Sequence, residues 1–417
     1  MSLGKALGLY RHVADHPAVL EHALQSKRVL ISTIAPISGG VPQMARFIVE
    51  QVRDLGLVPV IGYYQPYRAT PNLSVPSYRL LRGTIGKYQH QVFDGVEAHA
   101  LGTWLPELEF THYLPTNLWK ELLLTCDYHI SVSGNCLAAT PYLSNNKPFW
   151  AWVATPWYDD RKDRVRSFSL FRRCLDKFVN SPAIFRLERK ILCKGNIVAL
   201  SQYTRKTLNK IVDHDAIREV MPMPVDACLF ARQNKEKYHW SVGFVGRLDD
   251  PRKNIGLFID AVAYCHKNNY FISAILIGGA TNHTLRSRIQ ELGLAEHIKI
   301  IDEIERHLLP DYLMKMDAFI IPSHQEGLCI AGLEAMSCGV PVISTKCGGP
   351  EEFVIHGKTG LLVDSNAEAV GDALLHILNN KNYHKLLSEQ ARKLIETRYT
   401  VETVKQTFED SFKNTFH

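Results

Sequence analysis

The stretch DAFIIPSHQEGLCIAGLEAMSCGVPVIST, residues 317–345, reads as strand, loop, helix and strand. DAFIIPS (317–323) and VPVIST (340–345) are short apolar runs rich in Val and Ile, the pattern of strands buried on both faces. Between them a helix begins at about Cys329, and Gly339 with Pro341 behind it stops it. Two strands joined through a helix run parallel. The loop carries Glu326, Gly327, Leu328 and Cys329; the helix opens on Ile330 and holds Glu334, eight positions after Glu326. The first turn of such a helix offers free backbone N–H groups and the positive end of the dipole, which suit a diphosphate. A carboxylate before the helix can hold sugar hydroxyls, and one a turn or two inside it can hold a ribose. The plain alternative is an acid that merely favours the helix dipole. The loop follows a buried strand, at the end where α/β sheets bind ligands, and this argues for a site.

Outward from this stretch the same alternation fills the chain. SVGFVGR (241–247), FISAILIGG (271–279) and HIKIID (297–302) precede it, with the helix IGLFIDAVAYCHKN (255–268) between the first two. Earlier still come RVLISTIA (28–35), LVPVIGYY (57–64), YHISVS (128–133) and NIVALS (196–201). The segment 43–56 is apolar at 44, 47, 48, 52 and 55, which is helical spacing. A chain of 417 residues is too long for one ordinary core. The pattern predicts an α/β protein of two facing doubly wound Rossmann-like domains, residues 1–222 and 241–398, with a cleft between them. Residues 223–240 are the hinge; PMPVDACLFARQNKEKYHW (222–240) is polar and carries two prolines.

Two further motifs fall at strand ends. In FVGRLDDPRKNIGLFIDAV (244–262), Arg247 closes a strand and Lys253 precedes a helix, so two cations can neutralise a leaving diphosphate. In APISGGVPQMARF (35–47), Gly39 and Gly40 make a tight turn and Pro42 suits the first helical turn, permitting close backbone approach to a phosphate or sugar. The Gly-x-Gly-x-x-Gly of dinucleotide binders occurs nowhere in the chain. Asp213-His214-Asp215 has the Asp-x-Asp form of a metal-holding pair, but it follows the helical stretch YTRKTLNKIV and not an apolar strand end, so no metal is expected there.

Taken together these residues resemble the retaining, two-domain (GT-B) glycosyltransferases of the "group 1" family, with its Glu, seven residues, Glu segment. The resemblance covers nearly all of the chain and is strongest over 241–364, where CGGPEEFVIHGKTGLLV (347–363) also matches the family's glycine-rich tail. It implies a metal-independent hexosyltransferase without a cofactor, acting from a nucleotide-sugar donor on a glycan or lipid-linked acceptor with retention at the anomeric carbon. Arg247 and Lys253 would bind the donor diphosphate, Glu326 the transferred sugar, the backbone of Gly327, Leu328, Cys329 and Ile330 sugar and phosphate, and Glu334 the ribose. Ile304 would stack on the base, Gly39 and Gly40 would face the donor from the other domain, and residues 399–417 would form a helix crossing back to the first domain. Leu328 and Cys329 stand where the family usually has Phe and Gly, and Asp302 where a strand usually ends in Gly. The family's first-domain His is replaced by Ala154 or Thr155, leaving Thr155, Trp157 and Asp159 as candidates there. The alternatives are a non-catalytic nucleotide-sugar-binding scaffold or sensor, and an epimerase or phosphorylase on the same fold.

Composition bounds the rest. A hydrophobic fraction of 46% and a charged fraction of 22% are those of an ordinary globular protein. No run approaches a membrane span, the N-terminus lacks a signal-peptide pattern, and nine cysteines form no Cys-x-x-Cys pair, so a cytoplasmic chain with reduced thiols is expected. The net charge of +6 is uneven: residues 161–190 hold ten Lys or Arg against three acids, a net +7 that leaves −1 for the remainder. Placed on one helix, 162–179 puts Val165, Phe168, Phe171, Leu175, Phe178 and Val179 on one side and Lys162, Arg166, Arg173 and Lys177 on the other. One reading packs the apolar side on the first domain. The other rests it on an anionic membrane surface, with the protein peripheral at the inner face of the cell membrane. A nucleic-acid partner is not expected.

Overall fold

The computed structural model describes residues 27–35, 39–165, 168–231, 241–279 and 283–416, apart from the side chains of 160, 163 and 164. The first sheet comprises β1 (Arg28–Thr33), β2 (Val58–Tyr64), β3 (Lys87–Val92), β4 (Val96–Leu101), β5 (Tyr128–Ser133), β6 (Trp150–Val153), β7 (Asn196–Ala199) and β8 (Glu219–Val220). Its order is β3-β4-β2-β1-β5-β6-β7-β8, parallel except for the β3–β4 pair. The second comprises β9 (Ser241–Val245), β10 (Ser273–Ile277), β11 (Ile298–Ile301), β12 (Ala318–Ile321), β13 (Val342–Thr345) and β14 (Gly360–Val363). Its order, β11-β10-β9-β12-β13-β14, is parallel throughout. In both sheets the chain order reverses beside the first strand, at β1/β5 and β9/β12, which opens a crevice at the carboxyl ends. Two such sheets in one chain are the GT-B architecture.

Helices cover both faces of the inner strands, which are buried without alternation, whereas the edge pair β3–β4 keeps polar, partly exposed positions. The helix Gly40–Asp54 buries Met44, Phe47, Ile48 and Val52 against the first sheet. The last helix, Val401–Phe416, is bound to that sheet as well, far from its neighbours in sequence. Trp150 donates its indole N–H to Ser411 at 2.8 Å, Asn196 reaches Thr415 at 2.6 Å, and Phe412 packs edge-on against Tyr128. The two domains also meet around the cleft: Tyr203 N–H donates to Glu352 at 2.9 Å, and Gln325 to Thr155 at 3.2 Å.

The basic segment departs from the single two-faced helix expected of it. It forms helices Trp157–Val165 and Leu170–Leu175, a wide turn Asp176–Asn180, and a helix Ser181–Lys194. Arg166 lies outside the described residues. The inward side is polar: Arg161 pairs with Asp176 and Glu109, and Asn180 accepts from Phe110 N–H. Three buried polar anchors inside the protein send the apolar side chains outward, and Leu170, Phe171 and Phe178 are 78%, 80% and 71% exposed. Of the expected apolar side, Phe171, Phe178 and Val179 therefore face solvent, while Val165, Phe168 and Leu175 are half-buried.

Candidate functional site

The loop after β9 turns sharply. Gly246 has φ +154°, and the opposing Gly278 approaches so closely that a Cβ there would lie 1.9 Å from Gly246 O. This close approach needs glycine and aims Arg247 and the turn Pro251–Lys253 at the carboxyl end of the sheet. Arg247 is 61% exposed on its side chain and donates to Asp250 at 2.5 Å. Burial alone would raise the Asp250 carboxyl; Arg252 and Arg247 hold it down at about 2, so it is a fixed anion that orients both guanidinium groups.

Lys253 is the better enclosed cation. Its Nζ donates to Glu326 Oε1 at 2.7 Å, and Ser323 Oγ donates to the same oxygen at 2.7 Å. Burial pushes the ammonium pKa down, but the Glu326 carboxylate outweighs it and the net shift is upward. Glu326 is fixed through its backbone too: its N–H bonds Cys347 O at 2.8 Å and its carbonyl accepts Gly349 N–H at 3.0 Å. The residues Ser323 and Asp250, which orient the loop, carry no motif signal in the sequence.

The helix expected from about Cys329 spans Ile330–Ser337, and Cys329 caps it in the left-handed region at φ +70°. A residue with a side chain is strained there, and burial pushes the Cys329 thiol well up, so it stays a neutral thiol. Gly327 lies against the other domain: a Cβ would stand 2.4 Å from Ala154 O, beyond the end of β6. Gly40 meets Ile330 Cδ1, 3.4 Å from where its Cβ would be, while Gly39 turns the chain at φ +105°. The structure thus gathers Gly39, Gly40, Gly327, Leu328, Cys329 and Ile330 along the line where the domains face each other. Glu334 sits in the helix behind them, buried, in an ion pair with Arg306 at 2.7 Å, and burial pushes its carboxyl up to about 7. Ile304 is half-buried two residues before Arg306, between β11 and the turn Arg306–Leu308.

Among the first-domain candidates, Trp157 is taken up in packing. It is buried, its backbone N–H donates to Glu188 and its indole N–H to Glu109, both at 3.0 Å. Burial pushes Glu188 up to about 7. Thr155 accepts from Gln325, and Asp159 accepts from Tyr203 O–H at 3.3 Å, so both remain at the cleft wall. Burial raises the Asp159 carboxyl. Asp213 and Asp215 lie elsewhere, in a surface groove of about 610 Å³ shared with Arg205, Lys206 and Lys210. Asp213 faces Arg189 at 3.5 Å and Asp215 accepts from Asn209.

Residues 229–394 match the family model described as Glycosyl transferases group 1. The chain is 31% identical over 201 residues to a GDP-mannose-dependent alpha-(1-6)-phosphatidylinositol monomannoside mannosyltransferase of Mycolicibacterium smegmatis, covering 43% of this chain and 52% of that one. It is 33% identical over 158 residues to a D-inositol 3-phosphate glycosyltransferase of Corynebacterium glutamicum, covering 36% and 38%. The chain thus spans about half the length of the mannosyltransferases it matches. Among solved structures it resembles sucrose-phosphate synthase from Thermosynechococcus elongatus, with a TM-score of 0.73 at 18% identity over 94% of this chain and 99% of that one. It also resembles Anabaena HepE in complex with UDP, with a TM-score of 0.70 at 16% identity over 93% and 100%. These structural likenesses establish the GT-B fold.

Proposed function

We propose that this chain is a metal-independent retaining hexosyltransferase, moving a sugar from a nucleoside-diphosphate donor to a glycan or lipid-linked acceptor. The observation that carries the reading is the meeting of the Lys253–Glu326 pair with the Ile330–Ser337 helix start at the carboxyl ends of both sheets. Lys253 and Arg247 neutralise charge as it develops on the leaving diphosphate, and the helix N-terminus adds its dipole. Glu326 orients the sugar and stabilises positive charge on it; it is not a covalent nucleophile in this account. Glu334 takes the ribose hydroxyls and Ile304 the face of the base. The names of the relatives, a GDP-mannose-dependent mannosyltransferase among them, support donors of this class. The test is release of nucleoside diphosphate from UDP-, GDP- or ADP-sugars, with and without EDTA. Release that persists in EDTA, and an α-linked product by its anomeric NMR coupling, are expected. Loss in EDTA with rescue by manganese, or a β-linked product, contradicts the reading.

Gly327 supplies a second test. Gly327→Val puts a side chain into Ala154 O, so the domains cannot close over the sugar. Since a displacement of about 1 Å can cost on the order of a hundredfold in rate, transfer is expected to fall at least tenfold while nucleotide binding survives. Transfer at the wild-type rate shows that this contact is not part of the working state.

The partner surface belongs to the same proposal. Leu170, Phe171 and Phe178 project outward beside the exposed Arg172, Arg173 and Lys177. Apolar tips ringed by cations suit an anionic membrane surface, where each Lys or Arg contributes about 1 kcal/mol. We place the chain there as a peripheral cytoplasmic protein that brings its cleft to a lipid-linked acceptor. Among the described residues no helix is long and apolar enough to cross a membrane.

A further inference from the structure

We infer that Arg306 is a positioning residue for the nucleotide: it holds Glu334 in place and ties it to Gln43 of the facing domain. This rests on the donor-site reading of Glu334. Arg306 follows β11 in the turn Arg306–Leu308, two residues after Ile304, and it is held from three sides. One terminal nitrogen, Nη1, lies 2.7 Å from Glu334 Oε1 and donates to Gln43 Oε1 at 2.6 Å. The guanidinium plane stands over the ring of buried Phe230, 5.4 Å from its centroid.

The physical need for such a group is plain. The Glu334 side chain is 3% exposed, and burial alone drives its carboxyl towards the neutral form. A neutral acid presents a proton where ribose hydroxyls need acceptors. The adjacent Arg306 opposes that, since a nearby opposite charge favours the ionised form. The ion pair brings one guanidinium nitrogen to one carboxylate oxygen, and among the described residues that oxygen has no hydrogen-bond partner, which leaves acceptor positions on the carboxylate for hydroxyls. Gln43 lies on the helix Gly40–Asp54, whose start faces Ile330 across the cleft. The same nitrogen therefore registers the distance between the domains, and nucleotide binding at Glu334 is coupled to closure through it.

The test uses the full chain and UDP, GDP and ADP as probes, with affinity read by calorimetry so that turnover does not enter. With whichever probe the wild type binds, Arg306→Gln is expected to weaken binding about tenfold, or roughly 1.4 kcal/mol. Arg306→Lys, which keeps the charge, should recover most of that loss. In a Glu334→Gln background, Arg306→Gln should add less than about twofold, because residues acting through one contact are non-additive. Gln43→Ala should weaken binding less than Arg306→Gln, since it cuts only the link to the other domain. Arg306 is about a third exposed, and the Lys variant keeps the test open should the Gln variant not fold. Unchanged affinity in Arg306→Gln, failure of Lys to rescue, or full additivity in the double variant overturns the inference and leaves the donor site standing. Binding of none of the three probes by the wild type overturns the donor-site reading and this inference with it.

Discussion

Lys253→Ala is expected to lower turnover at least a hundredfold while the fold survives, read as release of nucleoside diphosphate from the donor. The magnitude follows from where Lys253 sits. Its ammonium is buried beside Glu326 at 2.7 Å, in a region that water does not screen well. Charge on a leaving diphosphate grows only as the sugar–phosphate bond breaks, so a fixed cation there acts mainly in the transition state. Removing one preorganised donor of this kind costs about 10²–10³ in rate. The substitution also leaves Glu326 buried without its cation, a separate cost of the size seen when one member of a buried pair is removed. Turnover, and not KM, should therefore carry most of the change. Arg247→Ala is expected to act in the same direction, through the more exposed arm of the clamp. Near-normal turnover in both single variants removes the clamp from the account.

Reversing Lys162, Arg173 and Lys177 to Glu is expected to reduce binding to anionic vesicles more than a hundredfold at low salt. Three charges change sign, a swing of about six charge units, at about 1 kcal/mol for each cation lost and a similar repulsion for each acid gained. Screening over about 8 Å at physiological salt shrinks the effect, so the contrast between low and high salt is itself a result. Phe171→Ser with Phe178→Ser should weaken binding at both salts, because apolar insertion is not screened. Nucleotide-sugar hydrolysis is expected to be unchanged in both variants, as none of these side chains enters the cleft account. Equal wild-type binding to neutral vesicles, or none to anionic vesicles at low salt, leaves the basic segment a solvated surface.

The legible parts of the molecule are those fixed by short-range physics. Five strands of the second sheet are short apolar runs that the sequence places to within a few residues, because a strand buried on both faces admits little else, whereas β14 hides in the glycine-rich stretch around Gly360–Val363. The helix after Glu326 was bounded by Gly339, which takes φ +75° at the stop. The β3–β4 hairpin was not legible: KYQHQV lies at the sheet edge, mostly exposed, so no apolar pattern marks it. β6, with only Trp150–Val153, is too short for periodicity to tell strand from helix. The basic segment misled for another reason. Period alone cannot show which side of a helix faces inward, and here buried Arg161, Asp176 and Asn180 claimed that side. Arg306 gave no signal at all, since its partners Gln43 and Glu334 are distant in sequence and meet only when the two sheets face each other.

Whether the cleft binds a nucleotide-sugar through the second domain is decided by thermal unfolding with UDP-, GDP- and ADP-sugars. A ligand at about a hundred times its dissociation constant adds roughly 2.7 kcal/mol of stability. At least one of the three donor classes is expected to raise the wild-type midpoint, and Glu334→Ala to reduce that rise at the same concentration. A panel in which no nucleotide-sugar moves the wild-type midpoint, or moves wild type and Glu334→Ala alike, contradicts the account.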